Sequence, residues 1–343
     1  MKKIMLFFFI IFLTATFSNV ANAGSPLSTY CDLKEVKSDL RPGASSQPTI
    51  VTVGLRLIDV TAIEDTSQTI TADFMVTQDW IDPDLAGYEG CQFSLDEVWS
   101  PQINVLNSGR LFKKFDDFVN VFEAGRVRLT QRYRGSLVFV YDAHRFPFDT
   151  QNIVVSLLSE KNDQNKVKII INESVTGRNP AAFNIPDWSI TDVSAQVVTK
   201  HFEIGNSSHS SFEFSIPAKR LSGYYTWKVI VPLMLIVFMS WTVFWINPSQ
   251  VGPQISMSAT SMLTLIAFQF AMGDIQPRLT YFTVMDRFIF GSTVLVFLAL
   301  LESVATNYLV NKNAEARALQ MDRHCCWIFP TVFFVFVGIV FYH

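Results

Sequence analysis

The chain has 343 residues, a net charge of −3 and 14% aromatic residues, with a mean hydropathy of +0.26. That charge provides no basic field for nucleic acid. That hydropathy is too high for a wholly water-soluble protein and too low for one wholly inside a bilayer, so a soluble domain joined to a membrane domain is expected.

Residues 1–23 have the form of a signal peptide: Lys2 and Lys3, an apolar run over 4–13, and the small-residue ending Ala21-Asn22-Ala23. The mature chain would then begin near Gly24, outside the cytoplasm. Cys31 and Cys91 fall in this exported part, where oxidation is permitted, and a bridge between them stays open because spacing alone supplies no geometry. Cys325 and Cys326 sit beside His324, too few ligands for a metal site.

Residues 24–222 carry short segments of period two. Val51, Val53, Leu55 and Leu57 alternate with Thr52, Gly54 and Arg56, and Ile70, Ala72, Phe74 and Val76 alternate with Thr71, Asp73 and Met75. Many short strands separated by turn signals predict an all-β sandwich, immunoglobulin-like, of about ten strands. Residues 223–343 follow as four apolar segments, at about 225–246, 252–273, 286–310 and 325–343, each long enough to cross a bilayer. Residues 311–323 read as a polar loop. Its Lys312, Arg317 and Arg323 belong on the cytoplasmic side by the positive-inside rule, which puts the β-domain and the C-terminus outside.

The second apolar segment is not uniformly oily. Ser256, Thr260, Leu263, Ala267, Phe270 and Asp274 recur at spacings of three and four, which places them on one helical face. Hydroxyls lead, an apolar stretch follows, and a carboxylate ends the stripe. Such a stripe serves either tight helix packing or a pore, with hydroxyl rings facing water and Leu263 to Phe270 gating by dewetting. No nucleophile–base set, G-x-S-x-G or H-E-x-x-H stands in the exported domain, so an enzyme is not expected. Nor is there an internal repeat of the transporter kind.

His144-Arg145-Phe146-Pro147-Phe148-Asp149-Thr150-Gln151, Trp80-Ile81-Asp82, Trp99-Ser100-Pro101, Arg220 ahead of the first helix, Pro232 within it and Pro277-Arg278-Leu279 with Tyr281 stand in one order. In that order they resemble the motifs of the pentameric ligand-gated ion channels, specifically the prokaryotic members. The animal loop cysteines are replaced by Phe139 and Ile153. The resemblance implies a homopentamer of four further identical subunits in a bacterial inner membrane. It would be gated by a small-molecule agonist or by protons, conduct monovalent ions and need no cofactor or metal. The agonist site would draw on Met75, Leu106, Glu160, His201, Phe202, His209 and Phe212. Few aromatics remain there for an ammonium ligand, and the histidines and carboxylate suit a proton-sensitive or anionic-ligand site. Coupling to the pore would run through Glu64, Asp65, Phe146, Pro147, Phe148, Asp149, Arg220, Pro277 and Arg278. Asp274 is the one charge on the stripe, which favours cations. An anion-selective channel of the same family and a non-conducting, membrane-anchored periplasmic binding protein are the alternatives.

Overall fold

The computed structural model describes residues 29–31, 40–42, 47–179, 183, 185–273 and 279–342. The signal-peptide reading of residues 1–23 lies outside them, as do Asp274, Pro277 and Arg278. Fourteen strands are described: β1 (Thr29–Tyr30), β2 (Thr49–Glu64), β3 (Thr69–Ile81), β4 (Cys91–Ser94), β5 (Ile103–Val105), β6 (Ser108–Lys113), β7 (Phe118–Phe122), β8 (Arg126–Val138), β9 (Thr150–Ser159), β10 (Val167–Ile171), β11 (Gly177–Arg178), β12 (Trp188–Ile190), β13 (Ser194–Phe202) and β14 (Ser207–Arg220).

They form two sheets. One runs β1-β4-β7-β8-β3-β2-β10, with β6 on β8 and β11 on β2, and the other runs β12-β14-β9-β5, with β13 on β14. The alternation seen in the sequence is the reason they pack. Val51, Val53, Leu55 and Leu57 of β2 are 0% exposed, as are Phe212, Phe214 and Ile216 of β14 facing them from the other sheet. The inner faces of both sheets thus make one apolar layer. A register shift between Leu57 and Asp59 keeps Val60 on the inner face, the usual effect of a bulge. Cys31 and Cys91 form a disulfide that ties the segment before β2 to β4.

Four helices follow: α1 (Gly223–Trp245), α2 (Val251–Met272), α3 (Val284–Asn311) and α4 (Glu315–Tyr342), each long and apolar enough to cross a membrane. α3 starts sharply because Thr283 and Asp286 form a reciprocal capping box. Gly291 of α3 lets the Phe336 ring lie on its backbone, since a Cβ there would stand 2.1 Å from Cζ. Phe238, Trp241, Phe288 and Phe333 fill the space between α1, α3 and α4.

One expectation needs correcting. Residues 315–323 are not loop; α4 begins at Glu315, about ten residues early, and the connection from α3 is only Lys312–Ala314 in extent. Glu315-Ala316-Arg317-Ala318-Leu319-Gln320 are strong helix formers, and they extend the helix past the apolar stretch that marks the membrane span.

Candidate functional site

The two domains meet at Arg220, the last residue of β14, whose side chain is 2% exposed. Its Nε donates to Asp149 Oδ1 at 2.7 Å and its Nη2 to Asp65 Oδ1 at 2.9 Å and to the Tyr141 hydroxyl at 2.9 Å. Nη1 lies 2.9 Å from Asp65 Oδ2. The guanidinium is stacked between Trp188, 4.1 Å from its carbon, and Phe146, 4.9 Å away. A planar, permanently charged fork suits this place; a lysine could not serve two carboxylates and two ring faces together. Burial works against the charge on Arg220, but hydrogen bonds and charge from Asp149 and Asp65 outweigh it and hold the proton more firmly than usual. Burial pushes the Asp65 carboxyl above the ordinary range, although the Arg220 hydrogen bond and charge pull it down. Burial likewise raises the Tyr141 phenol, so it stays neutral.

Residues 139–149, between β8 and β9, hang from the sandwich onto the helices. Val284 N–H, in the first turn of α3, donates to the His144 carbonyl at 3.1 Å, and Met285 N–H donates to the Phe146 carbonyl at 3.2 Å. The Ala143 N–H donates to the Tyr281 hydroxyl at 2.9 Å, and the His144 ring stacks on Tyr281 with centroids 4.0 Å apart. Phe146 meets Tyr225 of α1 edge-on at 4.9 Å, and Phe148 meets Phe341 of α4 at 5.7 Å. One loop therefore touches α1, α3 and α4 while its Asp149 holds Arg220. Pro147 is buried within it, behind a cis Phe146–Pro147 bond.

Of the residues expected to couple the domains, Asp65, Phe146, Pro147, Phe148, Asp149 and Arg220 come together here. Glu64 does not: its carboxylate turns away and accepts from Ser67 at 3.0 Å. Tyr141, Trp188, Tyr281 and Phe341 join the hub without having been assigned to it from sequence. Trp188 belongs to no motif in the sequence, and Phe341 is one apolar residue among many in the last segment. Tyr281, beside the Pro277-Arg278-Leu279 motif, carried the best available signal.

A cleft of about 530 Å³ opens at the tip of the β13–β14 hairpin, lined by Leu106, Leu158, Glu160, His201, Phe202, Glu203, Ile204, Ser207 and His209. Five of the expected ligand residues meet there. Phe212 is not one of them, because it is 0% exposed in the sandwich core. Met75 is not one either; it sits on β3 in the other sheet, between Arg56 and Arg132. His209 is buried and braces the hairpin. Its Nδ1 is 2.8 Å from the Ser159 carbonyl and 3.1 Å from the Asn162 carbonyl, so Nδ1 carries a hydrogen, and Nε2 lies 2.9 Å from the Ser207 hydroxyl. His201 and Glu160 stay exposed to whatever enters the cleft.

On α2, Ser256, Thr260, Leu263, Ala267 and Phe270 are all exposed, Leu263 at 68% and Phe270 at 78%. Gln254, Ser258, Ser261 and Leu265 take the opposite face, buried against the other helices. The Ser258 and Ser303 hydroxyls bond at 2.7 Å across α2 and α3. The graded stripe is thus turned away from its own bundle.

The neurotransmitter-gated ion-channel ligand binding domain matches residues 31–221, and the neurotransmitter-gated ion-channel transmembrane region matches residues 229–320. The chain belongs to the pentameric neurotransmitter-gated ion-channel family. Within it, a protein named proton-gated ion channel from Gloeobacter violaceus is 23% identical over 298 residues, spanning 85% of this chain and 82% of the relative. The family is one of ion channels, so the chain is a channel-family membrane protein and not an enzyme.

For a channel of this family the hub supplies a first prediction. Tyr281→Phe removes the acceptor for the Ala143 N–H but keeps the ring on His144. A lost hydrogen bond of this kind is worth about 0.5–1.5 kcal/mol, or about two- to tenfold in an equilibrium constant. Assembly should be unchanged, and the activator concentration for half-maximal current should move by about that factor. A superimposable dose–response curve would remove Tyr281 from the coupling path.

Proposed function

We propose that five copies of this chain form a homopentamer in a bacterial inner membrane, with the β-domain and the C-terminus outside. The assembly conducts monovalent cations when a small molecule or protons act on the β-domain. The observation that carries this reading is the α2 stripe. In one subunit, the side chains of Ser256, Thr260, Leu263, Ala267 and Phe270 are exposed and would be costly to leave against lipid at the hydroxyl end of the stripe. Five such helices about an axis give those hydroxyls water and give Leu263 to Phe270 a closed, dry ring. A binding protein that merely needed an anchor would have no use for the gradient.

The cleft at Glu160, His201 and Phe202 is the proposed agonist site, completed by a neighbouring subunit. Proton gating, the property in the name of the Gloeobacter relative, has physical support here in Asp65. Its carboxyl is held by burial in a higher range than an exposed aspartate, and it shares Arg220 with Asp149. A proton arriving on Asp65 cancels one of the two charges that seat the arginine. The direction follows: acid weakens the Asp65 anchor, and neutral or alkaline pH restores it.

Recordings from membranes expressing the full chain test this. An external acid step or an agonist panel should evoke current, and the reversal potential in asymmetric sodium chloride should follow sodium. Asp65→Asn, uncharged at every pH, should flatten the dependence on external pH. Surface-expressed protein that passes no current under any of these conditions would refute the channel reading. A reversal potential that follows chloride would overturn cation selectivity alone.

A further inference from the structure

The four helices bury a polar group that neither the stripe nor the hub uses. Glu302 of α3 is 8% exposed and Asp322 of α4 is 4% exposed. Their carboxyl groups lie within hydrogen-bonding reach of each other across the α3–α4 contact. Glu302 stands 18 residues into α3, about 27 Å along the helix from the interdomain hub at about 1.5 Å per residue. Gln254, in the first turn of α2, is 0% exposed and aimed at the same place. Its Nε2 donates to the Ile246 carbonyl at 3.1 Å and lies 3.5 Å from Asp322 Oδ2, and its Oε1 meets no donor.

Among the described residues, both oxygens of Glu302 and the Oδ1 of Asp322 accept from no N–H or O–H group, and the Cys325 thiol is within hydrogen-bonding reach of Glu302. Among the described residues, the other titratable side chains facing the pair are Cys325 and Cys326 of α4. The adjoining parts of α1 and α2, residues 237–245 and 251–263, contain none. Arg323 and His324, next along α4, point outward and are exposed. Among the described residues, no lysine, arginine or histidine is therefore in place to balance two buried carboxylates. Two ionised carboxylates face to face, away from water, repel each other and lose their hydration. One proton between them replaces that repulsion with a short O–H···O⁻ bond, among the strongest a protein makes.

We propose that Glu302 and Asp322 form a proton-binding site, in which one proton held between the two carboxyls joins α3 to α4 and, through Gln254, to the foot of α2. The site lies at the end of the bundle remote from the β-domain, so it is separate from Asp65. Losing its proton would push α3 and α4 apart next to the helix that carries the stripe. An ionisable residue inside an apolar helix is expected to face such a partner. Glu302, directly after the run Phe297-Leu298-Ala299-Leu300-Leu301, is the signal for it in the sequence.

Infrared spectroscopy of the purified full chain in phosphatidylcholine vesicles tests the site directly. At neutral pH the wild-type protein should show a protonated-carboxyl C=O stretch that shifts in deuterated water. That band should be lost in E302Q and in D322N, because each amide can donate to the remaining carboxylate and replace the shared proton. D322N, the milder change, should elute as the same oligomer as wild type, and it decides the matter by itself if E302Q does not assemble. A wild-type spectrum without the band, or an unchanged band in D322N, would overturn the proposal. The readout needs no current, so either result leaves the reading of the stripe as it stands.

Discussion

Arg220→Ala should produce protein that reaches the membrane poorly, and the fraction that arrives should give no activated current. The side chain is 2% exposed, and its partner Asp149 is 3% exposed. Removing the arginine leaves Asp149 buried with, among the described residues, only Gln151 Nε2, at 2.6 Å, as a side-chain donor. Breaking one side of such a buried pair costs about 3–5 kcal/mol, a large part of the roughly 5–15 kcal/mol that stabilises an ordinary domain. The stacks on Trp188 and Phe146 are lost as well. Arg220→Lys separates charge from shape. It keeps a cation but cannot bridge Asp65, Asp149 and Tyr141, so it should fold better than the alanine variant and still gate poorly. Thermal melts of detergent-purified protein and currents per surface molecule are the measurements. Arg220→Ala with wild-type melting and wild-type currents would show that the hub neither stabilises nor couples the domains.

Leu263→Ala should give the opposite phenotype, a channel that leaks with no activator present. Each substitution deletes about three carbons from the proposed dry ring, about 2.4 kcal/mol of apolar transfer at about 0.8 kcal/mol per CH₂. Five copies multiply that into more than the few kcal/mol that separate two conformations of a typical protein. Even a fraction of it would favour the wet state. Phe270→Ala, about two turns further along, should act the same way, since Phe270 is the bulkiest residue described on the stripe and is 78% exposed. A standing current that vanishes when sodium is replaced by an impermeant cation is the expected record. Both variants closed at rest with unchanged dose–response curves would place the gate elsewhere.

How far local pattern reaches is visible in individual residues. The period of two puts Val51, Val53, Leu55 and Leu57 of β2 and Ile70, Ala72, Phe74 and Val76 of β3 inside, because side chains alternate between the faces of a strand, although Asp73, Thr77, Gln78 and Asp79 of β3 are buried as well. The period near 3.6 on α2 separates Ser256, Thr260 and Leu263 from Ser258, Ser261 and Leu265 for the same kind of reason. The resemblance puts Phe212 beside His209 in the agonist site, yet an odd spacing along β14 sets the two on opposite faces, and the phenylalanine belongs to the core. Glu64 and Asp65 are neighbours at the tip of one hairpin, and only the turn between β2 and β3 decides which carboxylate faces Arg220. The first turns of α4 are a polar run of good helix formers, which gives no membrane signal.

The amino-acid sequence by itself determined the division into a strand-rich domain and four apolar helices, the graded face of α2, and the Phe146–Asp149 loop with Arg220 ahead of the helices. All of these are periods or short motifs, written within a few residues of one another. Only the tertiary structure decided that Arg220 gathers Asp149 from 71 residues away and Asp65 from 155, that Phe148 rests on Phe341, and that Glu302 meets Asp322 beside Gln254. Those contacts depend on how whole elements pack, and a chain's local pattern constrains packing only through which faces must leave water.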